Sequence, residues 1–391
     1  MSCLSPDQNP DKVTQLNMSL IHPDFLGETA RRISLGQYPD IRQFVVQHLY
    51  ADTLRLLLLL HQHVPIHCVI GIGYSGDSSV VAALEAAGIR VCTPDYESLQ
   101  STVDAELATT LNHCSTHNFR LVLHEVGGYA VKSLHTHFDE QVHRVVGALE
   151  ITKQGVWVAQ ELDELKIPQL NCAQTRLKEI EGKMVGEAVV AALDNITREL
   201  GYSVVGRQAL VAGYGWVGAG TAQNLRKRGM NVAVFDTDVL KVAEATVDGF
   251  SVYRSTVSIA PPAVAMGVSG RQSITRSVID QLPSRCFIVS GASKDHEIDL
   301  PYLESQTRTT EQIHRFVVAH TLHDGRILLL VNKGYPVNFT GSSVPDEIVE
   351  FLFAEFIILM QELLERTPPP GIYPLEPVLE QIAAHVWLDL R

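Results

Sequence analysis

Positive charge is scarce in this chain: 31 Lys and Arg stand against 44 Asp and Glu, a net −13 over 391 residues. Such a chain has no basic field to offer the phosphates of a nucleic acid or an anionic bilayer, which excludes a general nucleic-acid binder and disfavours binding to an anionic membrane surface. Long apolar runs are lacking as well. The longest leucine run, Leu56 to Leu60, is far too short to cross a bilayer, and MSCLSPDQNPDKV shows no basic segment ahead of an apolar stretch. The six cysteines (Cys3, Cys68, Cys92, Cys114, Cys172, Cys286) form no CxxC pair, and Cys68 and Cys286 lie in apolar strand-like runs, as buried thiols of a reducing compartment do. A cytoplasmic location is expected. Charged residues make up only 19% of the chain and hydrophobic ones 46%, which excludes global disorder. Repeats and low-complexity segments are absent.

What is present is an alternation. From about residue 40 short apolar runs such as HCVIGI, IRVCTP and RLVLHEV alternate with longer amphipathic ones, and a second series of the same kind begins near Arg207 with RQALVAGYG and NVAVFD. The pattern predicts parallel strands joined by crossover helices, in two lobes at this length. Lys183 to Leu200 carries helical spacing between the two series. Glu350 to Leu364 reads as a helix apolar on nearly every side, either a core helix or a subunit interface, because such a surface must be covered.

After the strand-like ALVA comes Gly213-Tyr214-Gly215-Trp216-Val217-Gly218, a GxGxxG at a strand-to-helix turn, and Asp236 closes the next apolar strand. The glycines allow a tight turn and close approach to a pyrophosphate, the helix N-terminus supplies N–H donors, and the acid accepts from ribose hydroxyls. Asp236 repels a 2′-phosphate, and Thr237 and Asp238 bring no cation to offset it, so NAD is expected rather than NADP. A second GxGxxG, Gly71 to Gly76, is also followed by helical sequence, with Asp95 beyond it. It reads chiefly as a glycine-tolerant βα turn, and alternatively as a second nucleotide site or a cradle for a polar part of a substrate.

Two histidine clusters, His61/His63/His67 and His135/His137/His143, have neither HExxH spacing nor a cysteine at ligand distance, so no metal is expected. Ser75 in GYSGD lacks the GxSxG register of a nucleophile elbow.

The segment VAGYGWVGAGTAQNLRKRGMNVAVFDTD resembles the cofactor domain of the S-adenosylhomocysteine hydrolases, in particular their shorter members. IPQLNCAQTRLKEIEGKMVGEA, ASKDHEID and LLLVNKGYPVNF resemble further segments of that family, so the likeness runs over roughly residues 115–365. It implies an α/β fold of two doubly wound Rossmann-like lobes: an NAD-binding domain, 184–335, inserted in a substrate-type domain, 1–183 completed by 336–391. It also implies chemistry in which NAD transiently oxidises the 3′-hydroxyl of a ribose, and a homo-oligomer (dimer or tetramer). Gly213, Gly215, Trp216, Val217, Gly218, Asp236, Gly270 and Asn338 are the expected cofactor contacts. Lys178, Glu150, Glu125 and Ser293 are the expected catalytic groups, around a small-molecule substrate in the interlobe cleft.

Several family acids, an asparagine and two histidines are replaced here: acids by Val126, Ile151 and Gly182, the asparagine by Lys183 and the histidines by Ser293 and Val344. Efficient S-adenosylhomocysteine hydrolysis is therefore not expected. The expectation is an NAD-dependent, oxidoreductase-type enzyme acting on a hydroxyl of a nucleoside-like or other polar molecule. Two alternatives stay open: an NAD-bound regulatory or assembly protein without turnover, and a genuine hydrolase with a rearranged site.

Overall fold

The computed structural model describes residues 23–253, 260–292 and 297–391. Apolar runs rich in Val, Ile and Leu form strands in chain order: β1 (Ile41–Leu49), β2 (Ile66–Gly76), β3 (Arg90–Cys92), β4 (Arg120–Glu125), β5 (Val145–Glu150) and β6 (Pro168–Asn171). There follow β7 (Gln208–Ala212), β8 (Asn231–Phe235), β9 (Ser251–Val252), β10 (Val264–Gly267) and β11 (Cys286–Ser290). The last are β12 (Thr307–His314), β13 (Val317–Leu322), β14 (Ile327–Val331) and β15 (Gly371–Pro374). Two units result: the chain up to Lys178 together with Asp346–Arg391, and Glu179–Pro345.

The first unit holds a sheet of order β15-β6-β5-β4-β1-β2-β3 in which every pairing is parallel. The second holds an eight-stranded sheet of order β12-β13-β14-β11-β10-β7-β8-β9, parallel except where β12, β13 and β14 form an antiparallel meander. Both are doubly wound α/β arrangements. The direction of winding reverses between β1 and β4 in one and between β7 and β10 in the other, and the crevice at the carboxyl ends of such strands is where ligands bind in this architecture.

Helix Asp346–Arg366 is buried continuously from Glu350 to Gln361. It packs with Phe25, Leu56, Leu149 and Val386 in its own unit, with Phe351 edge-on to Phe25 at 6.3 Å and tilted against Trp387 at 5.0 Å. The open choice between core and interface thus falls to the core. Each fully buried Phe or Leu there contributes about 1.5–3 kcal/mol.

Helix Arg176–Glu199 begins seven residues before the expected Lys183, because the Thr175 hydroxyl accepts the Lys178 N–H at 3.1 Å and caps the first turn. A second correction concerns Gly71 to Gly76, which is not a turn at all. Strand β2 runs through it to Gly76, and Asp77 caps the helix Ser78–Ala86. Gly73 is small because the backbone of Pro94, Asp95 and Tyr96 crosses it; a Cβ would stand 2.4 Å from the Pro94 carbonyl oxygen. Close backbone approach explains the glycine at position 73. No helix among the described residues is long and apolar enough to cross a membrane.

Candidate functional site

In the second unit the three glycines of the first motif have three different jobs. Gly213 sits in left-handed backbone at φ +109, and a Cβ there would stand 2.8 Å from the backbone of Ser269. Gly215 has no atom within 4 Å of the position a Cβ would take, so this face of the turn is open. Gly218 presses helix Trp216–Lys227 onto the turn: its Cβ would lie 2.0 Å from the Gly213 carbonyl oxygen. Tight turn, open cradle and close helix packing are the division of labour a pyrophosphate site requires. Trp216 and Val217 open the helix, whose cap Gly215 makes no side-chain cap bond, the kind of helix start that suits an anion.

Asp236, just after β8, accepts the Tyr214 N–H at 2.6 Å and the Asp238 N–H at 2.9 Å, one on each oxygen. Each oxygen keeps a lone pair for a ribose hydroxyl. Thr237 and Asp238 are exposed and carry no cation. Asn338 is 5% exposed; its amide nitrogen donates to Ser343 at 3.0 Å and its oxygen has no partner. A buried, unpaired carbonyl oxygen calls for a donor such as a carboxamide, and the residues present therefore fit NAD. Gly270 differs from expectation. Its N–H is taken by Glu297, a buried acid that also holds Ser269 and Ser273. Burial pushes the Glu297 carboxyl up to about 7 despite the bonds from Ser273, Gly270 and Ser269. Gly270 thus shapes the loop after β10, with its N–H engaged inside the protein.

Asp236→Ala is expected to weaken NAD binding by about 1–3 kcal/mol, the scale of leaving ribose hydroxyls unpaired in a half-buried site. Calorimetric titration of wild type and variant measures this. Equal affinity of the wild type for NAD and NADP would overturn the role given to Asp236.

In the first unit, chemistry gathers at the carboxyl ends of the strands. His48, near the end of β1, has its Nδ1 against the Ser75 hydroxyl, which itself donates to the Ile72 carbonyl at 3.1 Å. Burial, and then the nearby Lys178 ammonium, push the His48 imidazole down to about 4, so it is neutral near pH 7. Lys178 is half-buried at the start of helix Arg176–Glu199. Its charge also bears on Glu355 and on the buried Cys172. Lys178, His48, Glu355 and Cys172 therefore converge from β1, from the segment after β6 and from helix Asp346–Arg366.

Glu125 and Glu150, expected to be catalytic, are register partners on β4 and β5 and fully buried. Glu125 accepts the N–H groups of Ala130 at 2.6 Å and Val131 at 2.8 Å, capping helix Tyr129–His137. Glu150 accepts from Gly127, Ile151 and Thr152 N–H and from the Thr152 hydroxyl. Gly155 is obligatory beside it, since a Cβ there would meet the Glu150 carboxyl at 1.8 Å. Both acids are thus turned onto backbone donors and brace the loops. Ser293 lies outside the described residues.

Burial pushes Glu125 up to about 8, helped by the Glu150 charge, and Glu150 up to about 7. Folded values above the unfolded 4.5 mean that the stability they contribute is full below about pH 4.5 and is lost as pH rises through 7–8. Glu125→Gln gives up one acceptor oxygen and is expected to cost about 1–2 kcal/mol at pH 5. The deficit should shrink by pH 8, because the amide does not ionise. Urea unfolding at both pH values tests it, and a deficit independent of pH would contradict the titration.

The replaced family positions also have structural explanations. Ile151 and Val344 are buried, and Val126 packs between two apolar clusters. Gly182 stands where a Cβ would lie 3.1 Å from that of Trp216, and Gly186 where one would lie 2.4 Å from the Thr221 nitrogen, so helices Arg176–Glu199 and Trp216–Lys227 cross in close contact. Sequence reasoning missed His48, Thr175 and Glu355. No motif surrounds His48. A lone Glu in the apolar run FLFAEFIIL was the available signal for Glu355.

Residues 188–344 match the family described as S-adenosyl-L-homocysteine hydrolase, NAD binding domain. The chain is 26% identical over 325 residues to the S-inosyl-L-homocysteine hydrolase of Methanopyrus kandleri, covering 81% of this chain and 74% of that one. It is 25% identical over 273 residues to an adenosylhomocysteinase of Thermoplasma volcanium (67% and 65%) and 26% identical over 305 residues to one of Archaeoglobus fulgidus (75% and 71%).

Proposed function

We propose that this chain, whose residues 188–344 match the NAD-binding domain of the S-adenosylhomocysteine hydrolase family, is an NAD-dependent enzyme of that family that oxidises a ribose hydroxyl of a nucleoside-type small molecule. Lys178 and His48 carry its proton chemistry. NAD, when bound, supplies the hydride acceptor. The observation that carries the reading is the placement of His48 near the end of β1, its Nδ1 against the Ser75 hydroxyl and its imidazole within reach of the Lys178 charge. Oxidation of an alcohol requires its proton to leave and the developing oxygen charge to be stabilised. His48 can take the proton, and Lys178 can hold the oxygen by a charge-assisted hydrogen bond. The relatives' names couple homocysteine to inosine in one case and adenosine in others. A ribosyl substrate whose base is not restricted to adenine accords with both.

The buried apolar side chains Ile151 and Val344 supply no acid or base at two replaced positions, which supports oxidation without efficient release of homocysteine. Turnover of S-adenosylhomocysteine well below 1 s⁻¹, the low end for ordinary enzymes, is expected.

The test follows the near-ultraviolet absorbance of NAD-loaded protein while adenosine, inosine, S-adenosylhomocysteine, S-inosylhomocysteine and simple hydroxy acids are added, with free homocysteine assayed in parallel. Cofactor reduction by a nucleoside is the expected result. Homocysteine release near 1 s⁻¹ would instead make the protein a working hydrolase. Silence across the panel would leave a cofactor-bound protein without turnover.

A further inference from the structure

The returning segment Asp346–Arg391 places two carboxylates on the turn that carries Lys178. Glu355 is the one polar residue in the run Phe351 to Leu359 and is fully buried. Its Oε2 lies 3.1 Å from the Thr175 hydroxyl, and its Oε1 has no hydrogen-bond partner. Glu380, on helix Pro377–Asp389, accepts the Leu177 N–H at 2.8 Å. Thr175 in turn accepts the Lys178 N–H at 3.1 Å.

We infer that Glu355 is a positioning residue for Lys178: its buried carboxyl locks Thr175, the cap of the turn bearing the lysine, while Glu380 holds the next N–H of that turn. The inference rests on the reading of Lys178 as the working amine. Hydrogen counting supports a neutral Glu355. The Thr175 oxygen has one hydrogen and three polar neighbours: the Lys178 N–H, the Cys172 carbonyl oxygen at 3.1 Å and the Glu355 oxygen at 3.1 Å. With Glu355 ionised, the hydroxyl can donate to only one of those two oxygens, and the other contact becomes repulsive. With Glu355 protonated, its O–H donates to Thr175, Thr175 donates to Cys172, and all three contacts are bonds. The groups facing Glu355 are Thr175, Cys172 and Lys178 from the segment after β6 and Glu380 from the last helix. Burial pushes its carboxyl up to about 9; the Thr175 bond lowers it, the Glu380 charge raises it and Lys178 lowers it.

The experiment reads the lysine directly in NAD-loaded protein without substrate. Lysines are reductively methylated with 13C-formaldehyde, the Lys178 signal is assigned by its loss in Lys178→Met, and its chemical shift is followed in Glu355→Gln, Glu355→Leu, Thr175→Val and Glu380→Gln. Gln keeps a donor toward Thr175, so Glu355→Gln is expected to retain the wild-type signal. Glu355→Leu and Thr175→Val should move the methyl shift toward that of an exposed lysine. With a substrate in hand, kcat should fall about tenfold or more in the same two variants, with KM changed less than about twofold. An unmoved Lys178 signal in folded Glu355→Leu and Thr175→Val overturns the inference, and Thr175→Val decides alone if the leucine variant does not fold. If the nucleoside panel is silent while the signal moves, the positioning holds and the reaction assignment falls.

Discussion

Lys178→Met is expected to lower substrate-dependent reduction of bound NAD by about a hundredfold or more, the usual contribution of a positioned proton-transfer or oxyanion-holding group. Lys183→Met should remain near wild type. The two lysines share a helix and differ in surroundings: Lys183 is about half exposed and pairs with Glu179 at 2.7 Å, a surface i,i+4 contact of little energetic weight. Lys178 is half-buried and its charge reaches His48, Glu355 and Cys172. Removing it should also raise the His48 titration from about 4, since one cause of its depression is gone. Rates with the best substrate, stoichiometry of bound NAD and an NMR titration of His48 together test this. Equal, mild effects at both lysines would make Lys178 a surface charge.

A second large effect separates two glycines of one motif. Gly218→Ala must push a methyl carbon into the Gly213 carbonyl, whose backbone has no room to give, and the expected cost is about 1–3 kcal/mol or more, with NAD binding lost as the turn distorts. Gly215→Ala meets no protein atom within 4 Å, and Gly215 has an ordinary φ of −69. Its thermal stability without NAD should match the wild type, while NAD affinity falls because the methyl occupies the cradle. Thermal melts with and without NAD distinguish the two. Equal loss of stability at both positions would remove the assignment of Gly215 to the cofactor.

Much of this was legible in the residues. Alternating apolar runs predicted parallel sheets because a strand covered by helices on both faces must be apolar along its length. The GxGxxG at Gly213 was readable because strand, turn, helix and closing acid are contiguous, all within residues 208–236. The same six-letter pattern at Gly71 misled. Local sequence records that a residue is small, whereas only the fold shows whether ligand or backbone demands it, and at Gly73 the crossing chain of Pro94–Tyr96 makes the demand.

Glu125 and Glu150 show the limit from the other side. Acids at strand ends read as catalytic, yet register places them side by side, buried and turned onto backbone N–H groups, where desolvation makes them braces.

The sequence by itself determined the α/β class, the dinucleotide crevice and the preference for NAD, since each rests on residues a few positions apart whose geometry the backbone dictates. Tertiary structure alone decided that Lys178 stands with His48 and Glu355. Those three come from positions 48, 178 and 355, and contacts across such separations are set by strand order and by the return of the chain after Pro345, which no local spacing encodes.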